Sequence, residues 1–128
     1  GTPMDFRTEK QIGQDIRADF EQLHFTGGYD HNYVLGRPGE RKIMANAYCE
    51  ESGIAMEAAT DCCGVQYYPG NINGDQTGKG GAQYQDRCGF CLESQFYPNA
   101  VNEPNFLSTV VKAGDTYHTE TTYRFYRK

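Results

Sequence analysis

The stretch KIMANAYCEESGIAMEAAT, residues 42–60, decides the fold class. Two runs suited to extended backbone flank Glu50–Gly53, where Ser-Gly supplies a tight reversal, so the segment predicts two strands of a hairpin. The same grammar extends outward. Upstream, GRPGE is a turn, and HFTGGYDHNYVL opens on a glycine pair before a strand near Asn32–Leu35. Downstream, GVQYYPGN is a short strand ended by Pro69-Gly70, and RCGFCLESQF is another. In the last block, Asp115–Lys128, Tyr117, Thr119, Thr121, Tyr123 and Phe125 alternate with His118, Glu120, Thr122, Arg124 and Tyr126. That period predicts a long antiparallel strand with one face in the core. Short strands between Gly/Pro turns predict an all-β chain, a sandwich or a barrel.

Helical signal is confined to residues 8–24, where Ile12, Ile16, Phe20 and Leu23 recur at helix-like spacing and Gly13 weakens the pattern. A helical turn or two within a long connection is expected there. Residues 70–87 hold five glycines and little that is apolar, which predicts a long loop of the kind that is often functional. The Gly-Lys-Gly-Gly run within it lacks the spacing of a phosphate-binding loop. YPNAVNEPNF reads as irregular, and no internal repeat or linker is visible.

A chain of 128 residues can build one ordinary domain. Its net charge of −5 argues against nucleic acid or an anionic membrane surface as partner, since both call for a basic patch. No apolar run approaches a membrane span, and no basic-then-apolar block marks a signal peptide. The opening GTPMDFRTEK reads as the middle of something: a processed or cut chain, one piece of a longer protein, or a tag remnant. Cys49, Cys62, Cys63, Cys88 and Cys91 are odd in number, and most sit in apolar surroundings, as in CGFCLE. They read as buried reduced thiols of a cytosolic protein. A zinc site from Cys88-x-x-Cys91 and the Cys62-Cys63 pair is disfavoured, because adjacent cysteines chelate poorly and no second CxxC exists.

Glu93 stands out, a carboxylate inside the apolar and aromatic run GFCLESQF. Such a group is usually paired or used. Read from the residues alone, it either pairs with Arg87, accepts backbone N–H groups, or does chemistry. Asp30 is either a turn residue bonding the backbone near Gly27-Gly28 or a ligand-binding group. Gln66 is either a solvent-facing strand residue or a directional hydrogen-bonding group.

Three segments tip these choices: GGYDHNYVL (27–35), TDCCGVQYYPGN (60–71) and GFCLESQFYPNAVNEPNF (89–106). In register across nearly the whole chain, they resemble the C-terminal part of the aldose 1-epimerase (galactose mutarotase) family. MDFR near the start and AGDTYHTETTYRF at the end are similar to its flanking strands. The resemblance implies an antiparallel β-sandwich of the galactose mutarotase-like type, with residues 1–128 as the C-terminal part of a single domain whose N-terminal part is absent. It implies that Glu93, in CLESQ, is the general base, that Asp30, in YDHN, binds a sugar hydroxyl, and that Gln66, in GVQYY, contacts the sugar. Cys63 replaces the proline common in the family's version of the motif, a change expected to leave the chemistry alone. The family's general acid is a His of an NHxYFNL-type motif in its N-terminal half, and that motif does not occur here.

The implied activity is interconversion of the α and β anomers of a free aldose such as galactose or glucose. It needs a base for the C1 hydroxyl and an acid for the ring oxygen, but no cofactor or metal. Burial among apolar walls is expected to raise the pKa of Glu93 toward working pH. Tyr29, Tyr67 and Tyr68 are expected to stack on the sugar ring. His31 is expected to be a structural histidine packed away from the sugar, since neighbours in extended backbone face opposite ways. His24 and His118 read as surface residues, though His24 lies close to Asp30 in sequence. Alone, the chain is expected to be weak or inert, and to seek an N-terminal companion chain or its own copies, because a half-sandwich exposes edges and apolar faces. The rival reading is a non-catalytic carbohydrate-binding or interaction module on a half-sandwich. A cytoplasmic location is expected.

Overall fold

The computed structural model describes residues 1–72, 74 and 76–128. Its elements in chain order are helix α1 (Glu21–Thr26) and strands β1 (His31–Val34), β2 (Lys42–Cys49), β3 (Ile54–Thr60), β4 (Gly64–Tyr68), β5 (Gln76–Thr77), β6 (Gln83–Tyr84), β7 (Cys91–Gln95) and β8 (Thr121–Arg127). They form sheets ordered β1-β4-β7 and β2-β3-β8 and a small ladder, β5-β6. The chain is all-β, with antiparallel pairing of β2 with β3, β3 with β8 and β5 with β6. It divides into two compact units, Gly1–His31 with Tyr67–Cys91, and Asn32–Gln66 with Leu92–Lys128.

The predicted hairpin is the heart of the second unit. β3 pairs on one edge with β2 and on the other with β8, so its backbone groups are taken up on both sides. Ala55, Ala58, Ala59 and Thr60 on this strand are at most 2 % exposed. Met44 is the extra residue of a bulge between Ile43 and Ala45, which lets the register resume. The buried hydroxyl of Thr60 is fully employed: it accepts from Cys62 N at 3.1 Å and meets Thr121 Oγ1 at 3.0 Å.

β8 differs from expectation. The strand begins at Thr121, and the residues after it are exposed, with Phe125 at 65 %. No core face forms on it. The physical reason is that burial of a strand face needs a layer packed over it, and among the described residues none covers the side chains of Thr122–Arg127. Residues 115–120 stay outside the ladder, and the Glu120 amide donates to the Asp61 carboxylate at 2.9 Å.

The first unit buries aromatics rather than alanines. Tyr29 is fully buried, Leu23 and Ile16 nearly so. Phe6 packs edge-on against Tyr29 at 5.0 Å and Tyr67 at 5.4 Å between ring centroids. Lys10 lies 4.3 Å over the Phe6 ring while its ammonium donates to Pro3 O and Asp15. The helical turns come late in the predicted window and run past it. Residues 11–18 make isolated i+3 turns, Gln14 N to Gln11 O and Ala18 N to Asp15 O, and continuous helix waits for Glu21. Gly27 ends it in the left-handed region at φ 66°. The predicted loop of residues 70–87 includes Asn73 and Asp75, which lie outside the described residues, and elsewhere carries the β5-β6 ladder.

Of the five thiols, Cys62 and Cys63 are buried, whereas Cys49, Cys88 and Cys91 are exposed. The expectation of mostly buried thiols therefore fails for three. Burial pushes the Cys63 thiol up, while hydrogen bonding from Ser52 holds the Cys49 thiol below its ordinary value. A lowered pKa means more thiolate at neutral pH, so Cys49 should be alkylated by iodoacetamide well ahead of Cys63, read by peptide mass mapping. Equal labelling of the two in the native chain would contradict this assignment. Ala58, fully buried on the central strand, leaves no room for growth: Ala58→Leu should cost about 1–3 kcal/mol in chemical denaturation.

Candidate active site

The sheet β1-β4-β7 carries two of the three candidate residues, Gln66 on β4 and Glu93 on β7. The pleat of β7 explains where Glu93 goes. Phe90, Leu92, Ser94 and Phe96 alternate with Cys91, Glu93 and Gln95, so the apolar neighbours in sequence lie on the opposite face. Glu93 is exposed, and the expected apolar walls do not close over it among the described residues. β7 is held from its other face. Ser94 Oγ meets Thr121 Oγ1 at 2.5 Å, and Tyr123 OH donates to Leu92 O at 2.7 Å.

On the face of Glu93, Gln95 joins the strands of the sheet. Its Nε2 donates to Asn32 Oδ1 at 3.2 Å and to Gln66 Oε1 at 3.3 Å, placing one amide on each of β1, β4 and β7. Gln66 is thus half-buried and tethered, not a free solvent-facing residue. Gly64 makes room for this row: a Cβ there would stand 2.6 Å from Asn32 Oδ1 and 3.2 Å from Tyr97 Cδ1. Beneath it, Tyr97 OH donates to Cys63 O at 3.4 Å, and the buried Cys63 Sγ lies 3.8 Å from Gln95 O. Asn32, Gly64 and Gln95 were not singled out in the sequence. Their signal was parity, since Gln95 is two residues from Glu93 and Gly64 two from Gln66.

Asp30, the third candidate, belongs to the other unit, half-buried and directly before β1. Its backbone N–H donates to His31 Nδ1 at 3.0 Å, so the half-buried His31 ring is folded back onto the Asp30 amide. The loop that delivers Asp30 is built around Asn71. Asn71 Nδ2 donates to Tyr29 O at 2.9 Å, and its Oδ1 accepts from Arg87 Nε at 3.1 Å. Arg87 Nη2 also donates to Gly27 O at 2.8 Å. The guanidinium offered by the sequence as an ion-pair partner for Glu93 is therefore committed to the Gly27–Gly28 turn.

Two expected sugar-stacking rings are core residues instead. Tyr29 and Tyr67 are 0 % and 8 % exposed and pack on one another at 5.7 Å. Tyr68 is half-buried. His24 is exposed and 3.3 Å from Asp19, and His118 is exposed. A cavity of about 170 Å³ in the second unit, lined by Asp61, Cys62, Phe96, Tyr117 and His118 among others, contains none of the candidates. It falls below the roughly 300 Å³ at which ligand pockets begin. Among the described residues, no group of three His, Cys, Asp or Glu side chains is arranged to hold a metal ion. No helix among them is long and apolar enough to cross a membrane.

The family model described as aldose 1-epimerase matches residues 1–124. Galactose mutarotase from Sus scrofa is 37 % identical over 126 residues, covering 98 % of this chain and 35 % of its own length. Galactose mutarotase from Homo sapiens is 36 % identical with the same coverage. Aldose 1-epimerase from Escherichia coli (strain K12) is 31 % identical over 128 residues, covering 98 % of this chain and 37 % of its own length. The chain thus spans about a third of the length of these relatives.

The Asp30 loop yields a direct test. Gly28 has φ +143°, and a Cβ there would stand 2.7 Å from Asn71 Oδ1. Gly28→Ala should destabilise the chain by roughly 1–3 kcal/mol in denaturant melts, because the strained backbone and the displaced Asn71 act together. A variant as stable as the parent would show that Asn71 does not hold this turn.

Proposed function

The chain belongs to the aldose 1-epimerase family, and we propose that it is the C-terminal part of a single galactose mutarotase-like domain, supplying the base and part of the sugar site of an enzyme that interconverts the anomers of galactose or glucose. The observation that carries this reading is the polar face of β1-β4-β7, where Glu93 and Gln95 on one strand adjoin Gln66 on the next.

The chemistry follows from the groups. The Glu93 carboxylate takes the proton of the C1 hydroxyl as the C1–O5 bond breaks, and an acid gives a proton to O5. The open aldehyde turns about C1–C2, and the same pair closes the ring in reverse. Gln66 and Asp30 orient the polyol through directional hydrogen bonds, which suits an amide and a carboxylate. The acid, and the cover that would desolvate Glu93, are assigned to the two-thirds of the relatives' length that this chain does not span. Either an N-terminal companion chain or a longer form of the same polypeptide meets that need. Exposed Ile54, Tyr123 and Phe125 on the β2-β3-β8 sheet accord with such an association. Five free thiols accord with a reducing compartment, and we assign the protein to the cytoplasm.

In the complete polypeptide, or in residues 1–128 combined with the N-terminal part, Glu93→Gln should slow mutarotation of α-galactose by about 10²–10⁴-fold, followed by polarimetry. A variant that keeps the parent rate would remove Glu93 from the reaction. Galactose binding by the parent without turnover would favour a non-catalytic carbohydrate-binding module.

A further inference from the structure

We propose that Arg87 is a positioning residue for the sugar site, whose guanidinium sets the backbone that carries Asp30. The inference rests on the sugar-binding reading of Asp30 above and adds the group that holds its segment in place. Asp30 follows Gly27 and Gly28, with φ of +66° and +143°. Two glycines in a row are the least restrained backbone a chain has, so a side chain delivered by them needs fixing from outside. Here all three carbonyls of residues 27–29 are taken. Gly27 O accepts from Arg87 Nη2 at 2.8 Å, Gly28 O from the Thr26 hydroxyl at 2.5 Å, and Tyr29 O from Asn71 Nδ2 at 2.9 Å. Arg87 governs two of the three. It bonds Gly27 directly, and its Nε donates to Asn71 Oδ1 at 3.1 Å. A guanidinium only donates and a backbone carbonyl only accepts, so the Asn71 amide has one orientation, its oxygen towards Arg87 and its NH2 towards Tyr29 O and Thr26 O.

Arg87 does this from a backbone conformation that works against it. Its φ is +60°, in the left-handed region that side chains with a Cβ rarely adopt. Among the described residues, the only other non-glycine residue with positive φ is Asn99, a type that visits this region readily. Such strain persists where the surroundings over-determine it. The Arg87 N–H donates to Gly70 O at 2.9 Å, and the side chain is spent on Gly27 and Asn71. Asp86, 3.8 Å from Nε and exposed, adds little. The strained turn therefore serves the fork, one planar group reaching two acceptors at once. A lysine ammonium is a point charge without that fixed fork.

Arg87→Gly separates backbone from side chain. Glycine adopts φ +60° freely, so the turn stays while the fork is lost. Arg87→Lys keeps the charge and loses the fork. Both are made in the complete polypeptide that carries this chain, each with and without Asp30→Ala. The first readout needs no sugar: amide hydrogen exchange across residues 27–30 should quicken about tenfold or more in both variants, with the β2–β3 hairpin unchanged. The second is turnover of galactose, where KM should rise about three- to tenfold with kcat and its pH profile unchanged, since Glu93 and not this network carries the proton. The third is coupling. Once Asp30→Ala has raised KM, Arg87→Gly should add nothing, whereas a residue that merely supports the fold would add its effect in full. Should Arg87→Gly fail to fold, the same readouts on Arg87→Lys decide. Exchange at residues 27–30 as slow as in the parent, a KM equal to the parent's, a loss that falls in kcat instead, or additive effects with Asp30→Ala would each overturn the proposal. A parent without turnover, or Asp30→Ala with the parent's KM, would instead overturn the sugar-site reading, and hydrogen exchange would still decide whether Arg87 holds this backbone.

Discussion

A line of hydroxyls ties the second unit together. Thr60, fully buried on the central strand β3, meets Thr121 at the start of β8, and Thr121 meets Ser94 on β7. A buried hydroxyl without a partner costs a desolvation penalty of about 1–3 kcal/mol, and Thr60 avoids it through Thr121, the Cys62 amide and Glu120 O. The consequence is geometric. Ser94 is anchored on one face of β7, and the pleat then turns Glu93 and Gln95 to the other. The orientation of the candidate base thus depends on a contact it does not itself make.

The two units solve burial differently. In the second, alanines and a threonine fill a strand paired on both edges, where the sheet leaves little space above the backbone. In the first, Phe6, Tyr29 and Tyr67 pack as large rings, and Tyr29 still finds Pro3 O for its hydroxyl at 3.1 Å. Polar order around the Asp30 loop comes from Asn71 and Arg87, which satisfy the carbonyls of Tyr29 and Gly27. Tyr29 and Tyr67, rings that look in sequence like sugar-binding groups, are here part of the frame that presents other groups.

Much of the fold was legible because its signals are local. The β2–β3 hairpin, β1, β4 and β7 follow from alternation and from Ser-Gly, Gly-Gly and Pro-Gly punctuation, all within a few residues of each strand. The burial of Glu93 was not legible. Phe90, Leu92 and Phe96 are near it in sequence, but the pleat puts them on the other face, so apolar composition misreported its surroundings. The exposed face of β8 failed for a related reason. Alternation of Tyr117 through Phe125 announces a strand with two unlike faces, but not whether any layer packs over one of them, and none among the described residues does so here. Parity with Glu93 put Gln95 on the same face, but the motif carries no sign of which partners its amide will bridge.

By itself, the sequence determined the strand inventory, the tight turns at glycine, and the motifs that place the chain in its family, because these depend on neighbours within a few residues. Only the tertiary structure decided that Gln95 bridges Gln66 and Asn32, that Arg87 serves Asn71 instead of Glu93, and that Tyr29 is core. Those outcomes depend on strand order and on contacts between residues as much as 63 positions apart in the chain, as Asn32 and Gln95 are. Local periodicity says which way a side chain points from its own strand, and pairing between distant strands says what it will meet there.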